Sequence, residues 1–275
     1  MQALRKYLNR WDLTSDGEPV DTASSTLWPV RCADQTPAML KLAYSEEEQR
    51  GNALMTWWNG AGAARVIAHD GEALLMERAT GTRSLAEMSR NGRDTEATQI
   101  ICRCAARLHS TRETPPPPTV PLSAWFAELE PAAIEHGGVL CKSLRVSRML
   151  LSNPVNIVVL HGDLHHANVL DGGTLGWLAI DPKALRGERG FDFANIFCNP
   201  NSTSAKSPGR LAKQASVVAH TARVEHTRLL QWILACAGLS AAWSLHSDHV
   251  DLDKNDPRLA LAIAEIAASQ LPLNT

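Results

Sequence analysis

The chain has 275 residues, of which 44% are hydrophobic and 20% charged, and its formal net charge is −2. That length suits one large domain or two closely packed lobes, and the composition is that of an ordinary globular protein. The charge excludes a basic surface for nucleic acid, and no run approaches the roughly 18 apolar residues of a membrane span.

At the N-terminus, MQALRKYLNRW has basic residues with no apolar stretch behind them, so a secretory signal is not expected. Residues 20–45 alternate as short strands, with Asp34 and Pro37 marking a hairpin turn. A helix follows over 45–58, where Ser45 and Glu48 have the spacing of a capping box. Two further strands flank HDGE at 69–72, so the first 79 residues read as a strand-rich lobe with one helix.

The remainder, 80–275, reads as mainly helical. Ala97, Ile100, Ile101, Cys104, Ala105 and Leu108 recur at helical spacing and predict an amphipathic helix over 94–110. TPPPPT at 114–119 stops it and acts as a stiff connector. Helices are expected over 123–136, 140–151, 225–246 and 257–271. Cys32, Cys102, Cys104, Cys141, Cys198 and Cys236 form no CxxC pair and read as reduced thiols of a cytoplasmic protein.

Only 155–181 breaks the helical pattern: a strand, a polar loop HGDLHHAN, and a hairpin turning at Asp171-Gly172-Gly173. In that hairpin Asn168 would face Asp181, beside the loop that carries Asp163. Paired amide and carboxylate oxygens suit Mg²⁺, and a nearby aspartate suits a base that orients a hydroxyl. The alternatives are turn residues or, for His161, His165 and His166, zinc; no third ligand is evident for the latter.

His161-Gly162-Asp163, Asn168 five residues later and Ile180-Asp181 together resemble the catalytic loop and metal segment of aminoglycoside phosphotransferases. PAMLKLA, ALLMERA, GWLAIDP and GERGFDFANIF extend the likeness over nearly the whole chain, towards the streptomycin 6-kinase and hydroxyurea-resistance branch. The resemblance implies an α+β, protein-kinase-like fold, with a small N-terminal lobe of antiparallel sheet and one helix and a larger helical C-terminal lobe. It implies ATP and Mg²⁺, with Asp163 as catalytic base and Asn168 and Asp181 as metal ligands. Lys41 would hold the α/β-phosphates and pair with Glu48, with Glu46 and Glu47 as rivals. Glu77 to Ala79 would meet the adenine. The phosphate-covering turn has no glycine, and Ser24, Ser25 and Thr26 are its candidate donors. Asp192 would hold the loop from below, and His109 is given no chemistry.

The implied substrate is a small aminoglycoside, streptomycin at its 6-hydroxyl, and the enzyme is expected to be a cytoplasmic monomer. Another acceptor such as hydroxyurea, or a pseudokinase binding module, stays open. A guanidinium-bearing drug needs acidic partners, and the candidates are Glu188, Asp192, Glu225, Asp248, Asp251, Asp253, Asp256 and Glu265. Trp232 and Trp243 are either core residues or stacking platforms.

Overall fold

The computed structural model describes residues 2–246 and 256–272. Helix α1 (Gln2–Arg10) and the short strands β1 (Thr14–Ser15) and β2 (Val20–Asp21) open the chain, none of them expected as such. The expected hairpin is β3 (Ser25–Arg31) and β4 (Pro37–Ala43), and Asp34 Oδ1 folds its turn by accepting from Thr36 N at 2.9 Å. Helix α2 (Glu46–Trp58) starts at Ser45, whose hydroxyl accepts from Glu48 N at 3.3 Å. Strands β5 (Val66–Asp70) and β6 (Ala73–Glu77) complete an antiparallel sheet ordered β1-β3-β4-β6-β5, with β2 also beside β3.

Alternation along the central strands gives each face of this sheet its task. Ala38, Leu40 and Leu42 of β4 and Ala73 and Leu75 of β6 pack with Tyr7 and Leu13 into a small core. Leu74 and Met76 share a second core with Leu54, Met55 and Trp58 of α2 and with the helical lobe. Lys41 lies between Leu40 and Leu42, so it points to the α2 side, where it is 5% exposed.

Past Glu77 the chain crosses to the helical lobe. Helix α3 (Leu85–Met88) and a kinked turn (Ser89–Arg93) lead to α4 (Asp94–Leu108), whose apolar stripe is buried as its spacing predicts. The proline connector runs into β7 (Val120–Pro121). The helix expected over 123–136 is two: α5 (Leu122–Trp125) and α6 (Leu129–His136). Pro131 supplies the reason. It has no N–H for the carbonyl of residue 127, but it fits without loss in the first turn of a helix that restarts at Leu129.

Helix α7 (Val139–Ser152) precedes β8 (Ile157–Leu160), and β9 (Val169–Asp171) pairs with β10 (Trp177–Ala179). Strand β11 (Leu185–Glu188), absent from the sequence expectation, lies antiparallel to β8 and parallel to β7. Tight turns over Arg189–Cys198 lead to α8 (Ser202–Ala205), α9 (Arg210–Ala222), α10 (His226–His246) and α11 (Pro257–Gln270). Helices α8 and α9 were not expected either.

Helix α10 is apolar on nearly all sides because α6, α7, α9, α11 and the 189–198 turns surround it. It has no uninterrupted apolar run of the expected length, though by length and mean hydropathy it is apolar enough to cross a membrane, and most of it is buried inside the protein. Trp232 is its anchor. The ring is fully buried, lies 5.8 Å from that of Phe191, and donates its N–H to Glu188 at 2.8 Å. Trp232→Ala should therefore cost about 3–5 kcal/mol in urea unfolding, and a loss under about 1 kcal/mol would contradict this account of the core.

Candidate active site

Strand β8 ends at Leu160 and delivers a loop held from three sides. His161 is fully buried, with its Nε2–H donated to Ile180 O at 2.8 Å and its Nδ1 accepting from Asp163 N at 3.2 Å. Burial lowers its pKa, which keeps the ring neutral. Gly162 has φ +86°, and a Cβ there would stand 2.8 Å from the Leu185 side chain. No residue but glycine fits. Asp192 lies beneath: its carboxylate accepts from His161 N at 2.9 Å, from Gly162 N at 2.8 Å and from His109 Nε2 at 2.7 Å. Burial works against the Asp192 charge, but His109 and these donors outweigh it and lower its pKa. His109 thus belongs to the loop's support, which its place at the end of α4 did not reveal.

Asp163 projects from this frame into a cleft of about 940 Å³. Asn195 Nδ2 donates to its Oδ1 at 2.6 Å, and Asn168 Nδ2 donates to its Oδ2 at 3.2 Å and its carbonyl at 2.9 Å. Burial pushes the Asp163 pKa up, but His165, His161 and Lys183 together bring it down to about 2. The group is a carboxylate throughout the neutral range. Asn195 was not singled out from sequence. Its signal was spacing: Asp192 and Asn195 are three apart in a run of 3₁₀ turns, where such residues stack on one face.

Lys41 and Glu48 pair as expected, and Asp181 joins them, which was not expected. Lys41 Nζ is paired with Glu48 and lies 2.5 Å from Asp181 Oδ1. Glu48 also accepts from Ser24 Oγ at 3.0 Å and from Lys183 Nζ at 3.3 Å. Of its rivals, Glu46 is exposed and Glu47 pairs with Lys183 at 3.1 Å. Burial opposes the Glu48 charge, yet Lys41, Lys183 and Ser24 hold its pKa at about 2. Helix α2 lies hard against the segment after Asp181, since a Cβ on Gly51 would stand 2.4 Å from Pro182 O.

The facing of Asn168 and Asp181 needs correction. Val169 pairs with Ala179, so Asn168 stands opposite Ile180, whose N donates to Asn168 O at 3.0 Å. The hairpin turn is longer than Asp171-Gly172-Gly173, because a helical turn over Gly173–Leu175 sits inside it. Trp177 pairs with Asp171, so the register differs by one residue from that expected. Asp181 instead turns its backbone to φ +61° and sends its carboxylate to Lys41. The donor set still suits a hard cation: Asn168 spends its amide N–H groups on Asp163, and its Oδ1 has no hydrogen-bond partner among the described residues.

Ser25 and Thr26 are buried at the start of β3, just after the turn from β2. Ser25 Oγ shares a bond with Thr22 Oγ1 at 3.0 Å, and Thr26 Oγ1 donates to Asp21 at 2.7 Å. Their hydroxyls hold the turn, while Ser24 reaches Glu48. Glu77 N donates to Arg65 O at 2.9 Å; the Ala79 N–H has no partner among the described residues.

The acidic candidates separate clearly. Glu188 is buried against Arg228 and Trp232, Asp192 supports the loop, and Glu225 caps α10. Glu265 is exposed outside the cleft. Asp256 lines the cleft with Trp125 and Trp243. Asp248, Asp251 and Asp253 lie outside the described residues. Trp232 is core, whereas Trp243 is 40% exposed and meets Trp125 edge-on at 5.3 Å. The three loop histidines do not converge: His165 Nδ1 accepts from Ala167 N at 3.1 Å, and His166 is buried on the side of Asp94.

Residues 10–248 match the profile of a family described as aminoglycoside/hydroxyurea antibiotic resistance kinase. A streptomycin 3''-kinase of Klebsiella pneumoniae is 51% identical over 241 residues, which cover 86% of this chain and 90% of that protein. A streptomycin 6-kinase of Streptomyces griseus is 34% identical over 203 residues, covering 68% of this chain and 63% of that protein. Among solved structures, an aminoglycoside phosphotransferase of Streptomyces rimosus has a TM-score of 0.58 at 20% identity, covering 86% of this chain and 95% of that one. Another aminoglycoside phosphotransferase, solved with AMP-PNP and hygromycin B, has a TM-score of 0.66 at 12% identity, covering 98% and 99%. At those identities the structures speak for the fold, which is protein-kinase-like and α+β.

The buried Glu48 cluster has a pH signature. Its folded pKa of about 2 lies below the ordinary 4.5. The stability it contributes is therefore complete above the ordinary value and is lost as pH falls through the folded one. In denaturant titrations, the advantage of the wild type over Glu48→Gln should be full at neutral pH and shrink from about pH 5 to about pH 2. A constant gap would contradict the charge assignment.

Proposed function

Since the chain belongs to the aminoglycoside/hydroxyurea antibiotic resistance kinases, we propose that it transfers the γ-phosphoryl group of ATP to a hydroxyl of streptomycin and so inactivates the drug. The observation that carries this reading is Asp163, an ionised carboxylate fixed by two asparagine amides at the mouth of a cleft large enough for a drug.

The residues divide the work. Asp163 would orient the acceptor hydroxyl and take its proton as the new O–P bond forms, and Asn195 and Asn168 would keep the carboxylate turned to the cleft. Lys41, held by Glu48, would bind the α/β-phosphates. Ser25 and Thr26 would serve the phosphates by fixing the shape of the turn above them. Glu77 to Ala79 would meet the adenine, with the Ala79 N–H open to a ring nitrogen. Asn168 and Asp181 would hold Mg²⁺, which supplies charge neutralisation to the phosphates when bound. Asp256 and the exposed face of Trp243 are suited to a guanidinium group. The reaction belongs in the cytoplasm, where ATP is present and six free cysteines stay reduced.

For the acceptor, we favour the 3''-hydroxyl, because the 51% identical relative, matched over 90% of its length, is a 3''-kinase. The 6-hydroxyl expected from sequence is the second reading, supported by the 6-kinase at 34% identity. Incubation with MgATP and streptomycin should release ADP and yield a drug heavier by one phosphoryl group. NMR of the product distinguishes the two positions, and turnover only with other acceptors would discard streptomycin. Asp163→Asn should lower turnover by about 10²-fold or more while MgATP binding changes little. Near-normal turnover in that variant would remove the base assignment.

A further inference from the structure

The cleft has one lysine or arginine among its described lining residues, Lys183, and the roles above leave it unused. Its backbone N donates to His161 O at 2.7 Å, which ties it to the catalytic loop. Its Cβ lies so near Gly162 that an added Cβ there would come within 3.0 Å of it. Its ammonium lies 3.1 Å from Glu47 and 3.3 Å from Glu48, two residues along the chain from Asp181. It is also near enough to Asp163 to favour that carboxylate's charge. The ammonium therefore sits between the nucleotide side of the site and the base. Lys41, by contrast, is buried and paired with both Glu48 and Asp181.

We propose that Lys183 is a further catalytic residue, whose ammonium contacts the γ-phosphoryl group of ATP and stabilises the charge on its oxygens during transfer. The proposal rests on the kinase reading. In the step, the acceptor oxygen bonds to the γ-phosphorus and the bond to the β,γ-bridging oxygen breaks. The electron pair of that bond stays on ADP, and the acceptor proton passes to Asp163. Lys183 makes and breaks no covalent bond. A preorganised cation at the transferring group is the kind of element phosphoryl transfer depends on. Glu47 and Glu48 hold it in place before nucleotide arrives.

The test compares two nucleotides, so that it does not depend on the acceptor. By calorimetry, Lys183→Met should bind Mg–ADP within about twofold of the wild type but bind Mg–AMP-PNP about 10-fold more weakly, since a charge-assisted bond to the third phosphate is lost. Its kcat with streptomycin should fall by about 10²–10³-fold, the usual range for loss of one stabilising donor. A merely structural lysine would weaken both nucleotides in parallel or leave both unchanged, and either result overturns the proposal. If Lys183→Met does not fold, Lys183→Gln carries the same comparison. If the nucleotide pattern holds while the wild type leaves streptomycin unmodified, the acceptor reading fails and Lys183 keeps its role. If the wild type binds neither nucleotide, both fall.

Discussion

The site depends on a buried carboxylate shared by two lysines. Glu48 takes Lys41 from the sheet, Lys183 from the segment after β10 and Ser24 from the covering turn. An ionised glutamate that is 3% exposed is tolerable only with such partners, because an unpaired charge there would lose several kcal/mol of hydration. The requirement is mutual. Sheet, helix α2 and metal segment are fixed relative to one another because each supplies a charge that the others cannot leave unmatched.

A second frame, also polar, sets the base. Asp192 is buried and gathers the backbone of His161 and Gly162 together with the ring of His109. His161 then fixes Ile180 and Asp163. Asp163 and the segment before Asp181 are thus positioned through one histidine ring. Its neutral state matters, since one ring nitrogen must donate while the other accepts. Burial secures that state without a dedicated partner.

What was legible in the sequence was local. The spacing of His161, Gly162, Asp163 and Asn168 lies within eight residues, and Lys41 stands within the short run PAMLKLA that forms β4. The stripe of α4 and the cap at Ser45 were equally readable. What was lost depended on counting across a turn or on distant partners. The hairpin after Asn168 was misjudged by one residue because its register can be counted only once both ends of the turn are known. Glu46, Glu47 and Glu48 could be told apart only by helix phase against a sheet not yet placed. Of the acidic residues suggested for the drug, Glu188, Glu225 and Asp192 turned out to be committed to Arg228, to α10 and to the loop, and composition does not record such commitments. Helix α10 shows the same limit: its apolar sequence is that of a membrane segment until its neighbours are known.

The bond between His109 and Asp192 joins positions 83 residues apart. Between them lie the proline connector, three helices and the whole loop that carries Asp163. A gene exchange between two relatives that crosses over anywhere in that interval joins the histidine of one parent to the aspartate of the other. Such hybrids inherit a supported loop only when both parents have settled on the same pair. This buried contact would act as a filter on which such mosaics survive.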